Sequence, residues 1–292
     1  MRALGVVGIW SRELRFGDPA EAVEAAAELE ELGYGALWVP GGAGGQVLDT
    51  VATMLGATRA VVVATGILNV WAHEPREVAR IHAELDRSHP ERFLLGLGIS
   101  HAPLVDAEQS GRYRRPLETM RAYLDALDAH APAGARPARV VAALAPKMTA
   151  LAGERTLGVH PYMVPVEHTR LVRTMLGDER LVAPELSVVL EADAERGRRE
   201  ARADLALYLT LPNYTNTWRR LGFSDADLRD GGSDRLIDAL YAVGSVEQVA
   251  RRVRAHIQAG ADHVCLRVVT NALERLPRAE WRALADAVFT VA

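Results

Sequence analysis

The sequence predicts an α/β fold of the closed (β/α)8 TIM-barrel type, and three observations predict it. Eight short apolar runs alternate with eight or more stretches of helical spacing along 292 residues. Each run is unbroken instead of alternating with polar residues, which is the pattern of parallel strands covered on both faces. Neither a linker nor an internal repeat nor a low-complexity segment interrupts the rhythm, so residues 1–292 are expected to form one domain, a barrel of about 250 residues with additions. A doubly wound open sheet is the runner-up architecture.

Residues 3–9 form the first strand candidate. Asp18 then offers an N-cap and Pro19 a first helical position, and Ala22, Val23, Ala26, Leu29 and Leu32 recur at helical spacing until Gly33 closes the helix. Residues 35–39 make a second strand, and residues 40–45 form a glycine-rich loop without readable structure before a helix resumes near Val47. The third strand covers 61–67, and Pro75 opens a helix whose apolar face carries Val78, Ile81 and Leu85. Residues 93–97 are the fourth strand.

A helix with Leu117, Met120, Leu124 and Leu127 on one face fills 116–127. The fifth strand spans 139–144 and leads into a helix at Pro146. The sixth strand is short, 157–160, with a helix over 167–176 after it. The seventh runs over 181–190 and is followed by a helix over about 192–208. From 209 to 232 the periodicity breaks into Pro, Asn, Gly and two aromatics, which reads as an insertion after strand seven. Ser245-Val246-Glu247-Gln248 is a capping box for a long helix, 261–269 is the eighth strand, and Pro277 opens a terminal helix.

Composition narrows the function classes. A net charge of -4 and a pI near 6.2 leave no basic footprint for nucleic acid. The single cysteine, Cys265, cannot form an internal disulfide, which fits a reducing compartment. There is no charged-then-apolar leader and no run of about 18 apolar residues, so a soluble, cytoplasmic protein without a membrane partner is expected.

Ligand sites in barrels lie at the carboxyl ends of the strands, and that rule selects four stretches. After the fourth strand, Gly96 and Gly98 remove side chains so that backbone or a flat ligand can come close, and Ser100 and His101 bring a hydroxyl and an imidazole. The run begins like a dinucleotide fingerprint, but His101 replaces the third glycine and no helix is expected to follow at once. Leu144-Ala145-Pro146-Lys147-Met148 turns from strand to helix, where free amides and the helix dipole favour a phosphate and Lys147 can add charge. Thr65-Gly66-Ile67-Leu68-Asn69-Val70-Trp71 leaves the third strand through Gly, Asn and Trp. His160-Pro161-Tyr162 ends the sixth strand. Each has a plainer reading: a glycine bulge with a surface His, an ordinary helix start, a half-buried Trp, a core His. Walker A, His-Glu-x-x-His and Gly-x-Ser-x-Gly patterns do not occur, and the nine histidines lack metal-ligand spacing, so no metal is expected.

Taken together with Ala36-Leu37-Trp38-Val39-Pro40, Asn213-Tyr214 and Gly260-Ala261-Asp262-His263-Val264, these motifs resemble the bacterial luciferase-like superfamily. Within it the chain is similar to actinobacterial oxidoreductases that use the deazaflavin coenzyme F420, from residue 3 to about residue 289. The resemblance implies a TIM barrel holding F420, or alternatively FMN, across the strand ends. It places the phosphate loop on Leu144, Ala145 and Pro146, with Lys147 beside it. It places a non-prolyl cis peptide at Gly66–Ile67, and ring contacts at Gly98, Ile99, Ser100 and His101. Asn69 and His160 complete the expected cofactor-binding set, and His101 is the expected proton-transfer residue. Two positions depart from the family pattern: related dehydrogenases carry a carboxylic acid where His101 stands, and Gly41 replaces an acidic or His residue. The implied activity is hydride transfer between F420 and a small organic substrate by a homodimer. The alternatives are a reduced-FMN monooxygenase, a deazaflavin-binding barrel without turnover and, more distantly, a metal-dependent hydrolase.

Overall fold

In a computed structural model, which describes residues 3–42, 45–132, 138–270 and 275–289, the strands form one parallel sheet that curls on itself. They are β1 (Val7–Trp10), β2 (Ala36–Gly41), β3 (Val62–Asn69), β4 (Phe93–Gly98), β5 (Arg139–Val141), β6 (Gly158–Val159), β7 (Leu181–Val182), β8 (Glu185–Val189), β9 (Tyr241–Val243) and β10 (Val264–Val268). The helices before β6 are α1 (Glu13–Phe16), α2 (Pro19–Glu31), α3 (Val47–Ala57), α4 (Pro75–Ser88), α5 (Ala102–Glu108), α6 (Pro116–His130) and α7 (Pro146–Arg155). After it come α8 (Val166–Leu176), α9 (Ala194–Leu209), α10 (Pro212–Arg220), α11 (Asp234–Leu240), α12 (Val246–Gln258) and α13 (Arg278–Phe289).

The hydrogen-bonded order is β7-β6-β5-β4-β3-β2-β1-β10-β8-β9. β7 and β8 are two parts of one extended segment, so the two ends of that order meet. On one side Ala183 N donates to Val159 O at 3.0 Å and Glu185 N to Pro161 O at 2.9 Å; on the other, Cys265 N donates to Pro184 O at 2.9 Å. The sheet is therefore a closed barrel of eight staves, and the open doubly wound alternative falls away. β9 is an additional short strand laid against β8, in register Ser187↔Tyr241 to Val189↔Val243.

Most elements start where their local chemistry places them. Asp18 accepts from the amides of Ala20 and Glu21 to begin α2, and Ser245 with Gln248 closes the capping box of α12. Six details differ from the sequence reading. The seventh strand is interrupted at Ala183-Pro184, because Pro184 has no N–H to give to a ladder. A short helix, α5, does follow His101 at once, with His101 as its N-cap. The segment 209–232 is not merely a loop but carries α10, and α1 and the α11–β9 pair were not anticipated. The first, fifth, sixth and eighth strands are shorter than their apolar runs. Ala43 and Gly44 of the glycine-rich loop lie outside the described residues.

Two apolar layers hold the barrel. Between staves and helices, Leu37, Val63, Leu95, Val141, Leu186 and Leu266 pack against the helical faces. Inside, the alternate positions Trp38, Ala64, Leu94, Val140 and Cys265 fill the lumen. A third cluster joins α9, α10 and α11 around Trp218, Leu205 and Tyr241, and so roofs one side of the barrel mouth. Among the described residues no helix is long and apolar enough to cross a membrane.

Candidate active site

A cavity of about 740 Å³ opens at the carboxyl ends of the staves, the size expected of a small-molecule or cofactor site. Its walls come from the ends of β1, β3, β4, β5 and β6, and its roof from α9 and α10. The apolar side chains Phe16, Leu104 and Leu207, all substantially exposed, stand at its edge.

The wall given by β3 is irregular, and the glycines around it explain why. Register against β4 shifts between Ala64 and Leu68, and the Gly66–Ile67 peptide is cis. Trp10 Nε1 donates to Gly66 O at 2.7 Å, and Thr65 Oγ1 donates to Gly96 O at 2.7 Å. A Cβ at Gly41 would lie 2.5 Å from Ile67 O, one at Gly96 1.9 Å from Thr65 O, and one at Gly98 2.2 Å from Ile67 Cδ1. Three neighbouring glycines thus admit the bulge from both sides. Gly41, the departure noted in the sequence, is fixed by packing against Ile67.

At the end of β4 the chain passes through Ile99 and Ser100, whose φ of 57° lies in the left-handed region. Three side chains hold this turn: Trp71 Nε1 donates to Ile99 O at 2.7 Å, Asn213 Nδ2 to Ser100 O at 3.3 Å and Tyr113 OH to Ser100 O at 3.5 Å. His101 follows and stacks on Tyr214 at 5.0 Å between ring centroids. Its Nδ1 is buried without a partner among the described residues, and burial pushes its pKa down to about 4, so the ring is neutral at pH 7.

His160 lies on the same cavity wall, stacked on Trp38 at 4.1 Å. Its Nδ1 sits 2.7 Å from Ala183 O, which can only accept. The proton of the neutral ring is therefore on Nδ1, and Nε2 is a lone pair with no partner among the described residues. Burial lowers this imidazole also to about 4, against the opposing effect of the Ala183 bond. On the β5 side, Leu144 and Ala145 line the cavity where α7 begins. Ala145 is an N-cap without a side-chain cap; Pro146 has no N–H and Met148 N donates to Ala145 O at 3.1 Å, so the first turn of α7 offers an anion the Lys147 amide and the helix dipole, and Arg220 of α10 reaches the same cavity.

Of the residues selected from the sequence, Gly66, Ile67, Gly98, Ile99, Ser100, His101, Leu144, Ala145 and His160 line this one cavity. Asn69, Pro146 and Lys147 do not. Asn69 instead shapes the β3 turn, its Oδ1 accepting from Trp71 N at 3.1 Å and its Nδ2 reaching Gly42 O at 3.4 Å. Pro146 and Lys147 face solvent.

Sequence reasoning missed most of the aromatic wall. Trp10, Tyr162, Tyr208 and Tyr214 succeed one another with centroid separations of 5.5 Å, 5.6 Å and 5.3 Å. Behind them Arg267 is buried, its Nη1 2.9 Å from Asp204 Oδ1 and its Nε 3.2 Å from Glu185 Oε1. A signal for this pair was present: β8 and β10 are apolar runs that each carry one charge, of opposite sign. Among the described residues no group of three or more His, Cys, Asp or Glu side chains is arranged to hold a metal ion.

Comparison with known proteins adds a family. The model of the luciferase-like monooxygenase family matches residues 6–263. A Mycobacterium tuberculosis protein, provisionally named a coenzyme F420-dependent oxidoreductase, is 25% identical over 162 residues, 56% of this chain and 45% of that protein, so the match spans about half of each. Similar solved structures include an F420-dependent secondary alcohol dehydrogenase in complex with an F420-acetone adduct, with a TM-score of 0.76 at 13% identity and 100% coverage of both chains. The coenzyme F420-dependent tetrahydromethanopterin reductase of Methanopyrus kandleri gives 0.73 at 13%, covering 98% of this chain and 99% of that one. An FMN-bound type II Baeyer–Villiger monooxygenase from Pseudomonas putida gives 0.71 at 14%, covering 100% and 98%. At these identities the structures share the fold.

Proposed function

Because the chain belongs to the luciferase-like monooxygenase family, we propose that it is an oxidoreductase moving a hydride between the deazaflavin coenzyme F420 and a small organic substrate. The observation that carries this reading is that the β3 bulge and the uncapped start of α7 open on one cavity of about 740 Å³. A flat ring has room against the first, and a phosphate has the Lys147 amide and the helix dipole at the second. The lone pair at His160 Nε2 suits the N–H groups of a deazaflavin ring edge. The names of the M. tuberculosis relative and of two of the similar structures favour F420 over FMN.

When bound, the coenzyme supplies the ring carbon that takes or gives the hydride. The chain supplies the rest. Trp10 and Gly66 fix one wall, the tyrosines exclude water, and the turn at Ser100 sets His101 at the strand end. An alcohol substrate would lose a hydride from carbon and a proton from oxygen, becoming a carbonyl; the reverse reaction regains both. His101, neutral at pH 7, is assigned the proton, and it acts as an acceptor in the direction that forms the carbonyl.

Titration of the purified protein with F420 and with FMN tests the reading. F420 is expected to bind more tightly, and Ala145→Asp to weaken it about tenfold by like-charge repulsion at the helix start. Preference for FMN would turn the assignment to the monooxygenase alternative, and unchanged F420 affinity in the variant would remove the phosphate from α7. We also propose a homodimer; a 31.7 kDa species in light scattering at micromolar concentration would refute it.

A further inference from the structure

We propose that the Tyr162–Tyr208 hydroxyl pair donates a hydrogen bond to the oxygen of the substrate, and that the substrate is a largely apolar molecule carrying a carbonyl or hydroxyl group. The proposal rests on the hydride-transfer reading and adds the group that contacts the substrate oxygen.

Tyr162 follows β6, and Tyr208 lies near the end of α9; both line the cavity. Their hydroxyl oxygens are 2.9 Å apart. Two phenols carry two hydrogens, and the bond between them uses one. Among the described residues the other has no acceptor, whichever tyrosine donates. A half-buried O–H on the wall of a cavity that is otherwise mostly apolar is the kind of group that orients a ligand there.

The ground behind the pair is built to hold it. The Arg267 guanidinium lies 5.6 Å from the Tyr162 ring centroid and 6.0 Å from that of Trp10. Arg267 is itself fixed by Asp204, Glu185 and Ser187. Burial opposes ionisation of Asp204, but the Arg267 charge and the hydrogen bonds from Arg267 and Tyr241 hold its carboxyl below the usual range. A permanent cation thus sits beneath the aromatic floor. Burial raises both phenols above their ordinary range, so they remain protonated donors at neutral pH. As a hydride reaches a carbonyl carbon, the π pair moves to oxygen, and a donor already aimed there stabilises that charge. The edge residues Phe16, Leu104 and Leu207 give the rest of such a substrate an apolar approach.

The test uses acetophenone labelled with carbon-13 at its carbonyl, added to the purified protein with and without F420 and followed by NMR. On binding the parent protein the carbonyl resonance should move downfield, as hydrogen bonding requires. Tyr162→Phe and Tyr208→Phe each leave one hydroxyl and should keep part of that shift. The double variant should lose it and bind acetophenone roughly two- to tenfold more weakly, the value of one neutral hydrogen bond. A full shift in the double variant, or no binding of acetophenone by the parent, overturns the proposal. A lowered melting temperature with an unchanged shift does so too, since that is the mark of a purely structural pair. Should the double variant not fold, 3-fluorotyrosine at position 162 provides a more acidic phenol in the same fold. It should enlarge the shift, and an unchanged one counts against the pair. The coenzyme titration on the same samples separates the two ideas. Parent protein that binds acetophenone but not F420 loses the function and keeps the donor, whereas F420 binding without a carbonyl shift does the reverse.

Discussion

Gly96→Ala and Gly98→Ala should behave differently although the two glycines lie two residues apart in the same buried strand. A Cβ on Gly96 would fall 1.9 Å from Thr65 O and 3.1 Å from Thr65 C, both backbone atoms of β3. The strands are tied at that point by the Thr65 Oγ1 bond to Gly96 O at 2.7 Å, so neither can retreat cheaply. A Cβ on Gly98 would instead meet Ile67 Cδ1 at 2.2 Å and Cγ1 at 2.6 Å, the outer atoms of a side chain that borders the cavity. Overpacking a core costs about 1–3 kcal/mol when side chains can adjust and more when backbone must move, so Gly96→Ala should cost about 3 kcal/mol or more and Gly98→Ala about 1 kcal/mol. At about 2–4 °C per kcal/mol for a chain approaching this size, thermal denaturation should fall by roughly 6–12 °C in the first variant and by roughly 2–4 °C in the second. The ligand readout should reverse that order. In Gly98→Ala the Ile67 side chain turns into the cavity, where the coenzyme ring is proposed to lie, and F420 affinity should drop about tenfold, equivalent to about 1.4 kcal/mol. A Gly96→Ala protein melting within about 2 °C of the parent would refute the packing argument. Undiminished F420 affinity in Gly98→Ala would refute the ring placement.

Arg267→Leu strands Asp204 without its buried cation and should destabilise by about 3–5 kcal/mol in urea unfolding, with Asp204→Leu added to the same chain recovering most of the loss; a single variant as stable as the parent would show that the pair contributes nothing. Burial pushes His101, His160, His168 and His263 down to about 4 and His256 to about 3. Unfolded imidazoles take protons near pH 6.5 that the folded ones refuse, so stability should decline as pH falls from about 6.5 towards 4 and stay level above about 7. Urea midpoints that do not change from pH 7 to 4.5 would contradict this. His101→Gln and His101→Ala, once shown to bind F420 normally, should slow single-turnover hydride transfer by about 10²–10⁴-fold with a substrate found among apolar ketones and alcohols. Parent rates in both variants over pH 5–9 would reduce His101 to a packing role.

The barrel was legible because its staves are short, predominantly apolar and separated by proline and glycine punctuation. Where punctuation is missing, elements disappear from the pattern. Residues 234–243 pass from α11 straight into β9, Tyr241 being both the C-cap of the helix and the first residue of the strand. With no turn residue between them, neither period runs long enough to register. The seven-residue α5 is hidden for a related reason, since its N-cap His101 makes no side-chain capping bond and it buries Val105 alone, too little to set a helical period. Pro184 had the opposite effect. It was visible in the sequence, yet the strand resumes beyond it because its carbonyl still accepts from Cys265 while its missing N–H is simply skipped.

The site divides along the same line. Distance from the end of a strand is a local property, and it alone brought nine of the chosen residues to one cavity. Tyr208, Tyr214 and Arg220 reach that cavity from α9 and α10, on a segment whose return path is set by the burial of Trp218 and Leu205 in a separate cluster, and no local period encodes that. Arg267 is the intermediate case. A guanidinium inside a five-residue buried strand is expensive unless it is paired and hydrogen-bonded, so its presence alone demands an acidic partner on a neighbouring strand or helix. Glu185, in the adjoining apolar run, answers part of that demand by sequence logic. Burial raises the Glu185 carboxyl, and it is Asp204 on α9 that remains below its usual range. The firmer counter-charge therefore comes from the same helix that carries Tyr208. Moving α9 would expose both the cation and the phenol it underlies, which couples the roof of the cavity to the charge at its floor.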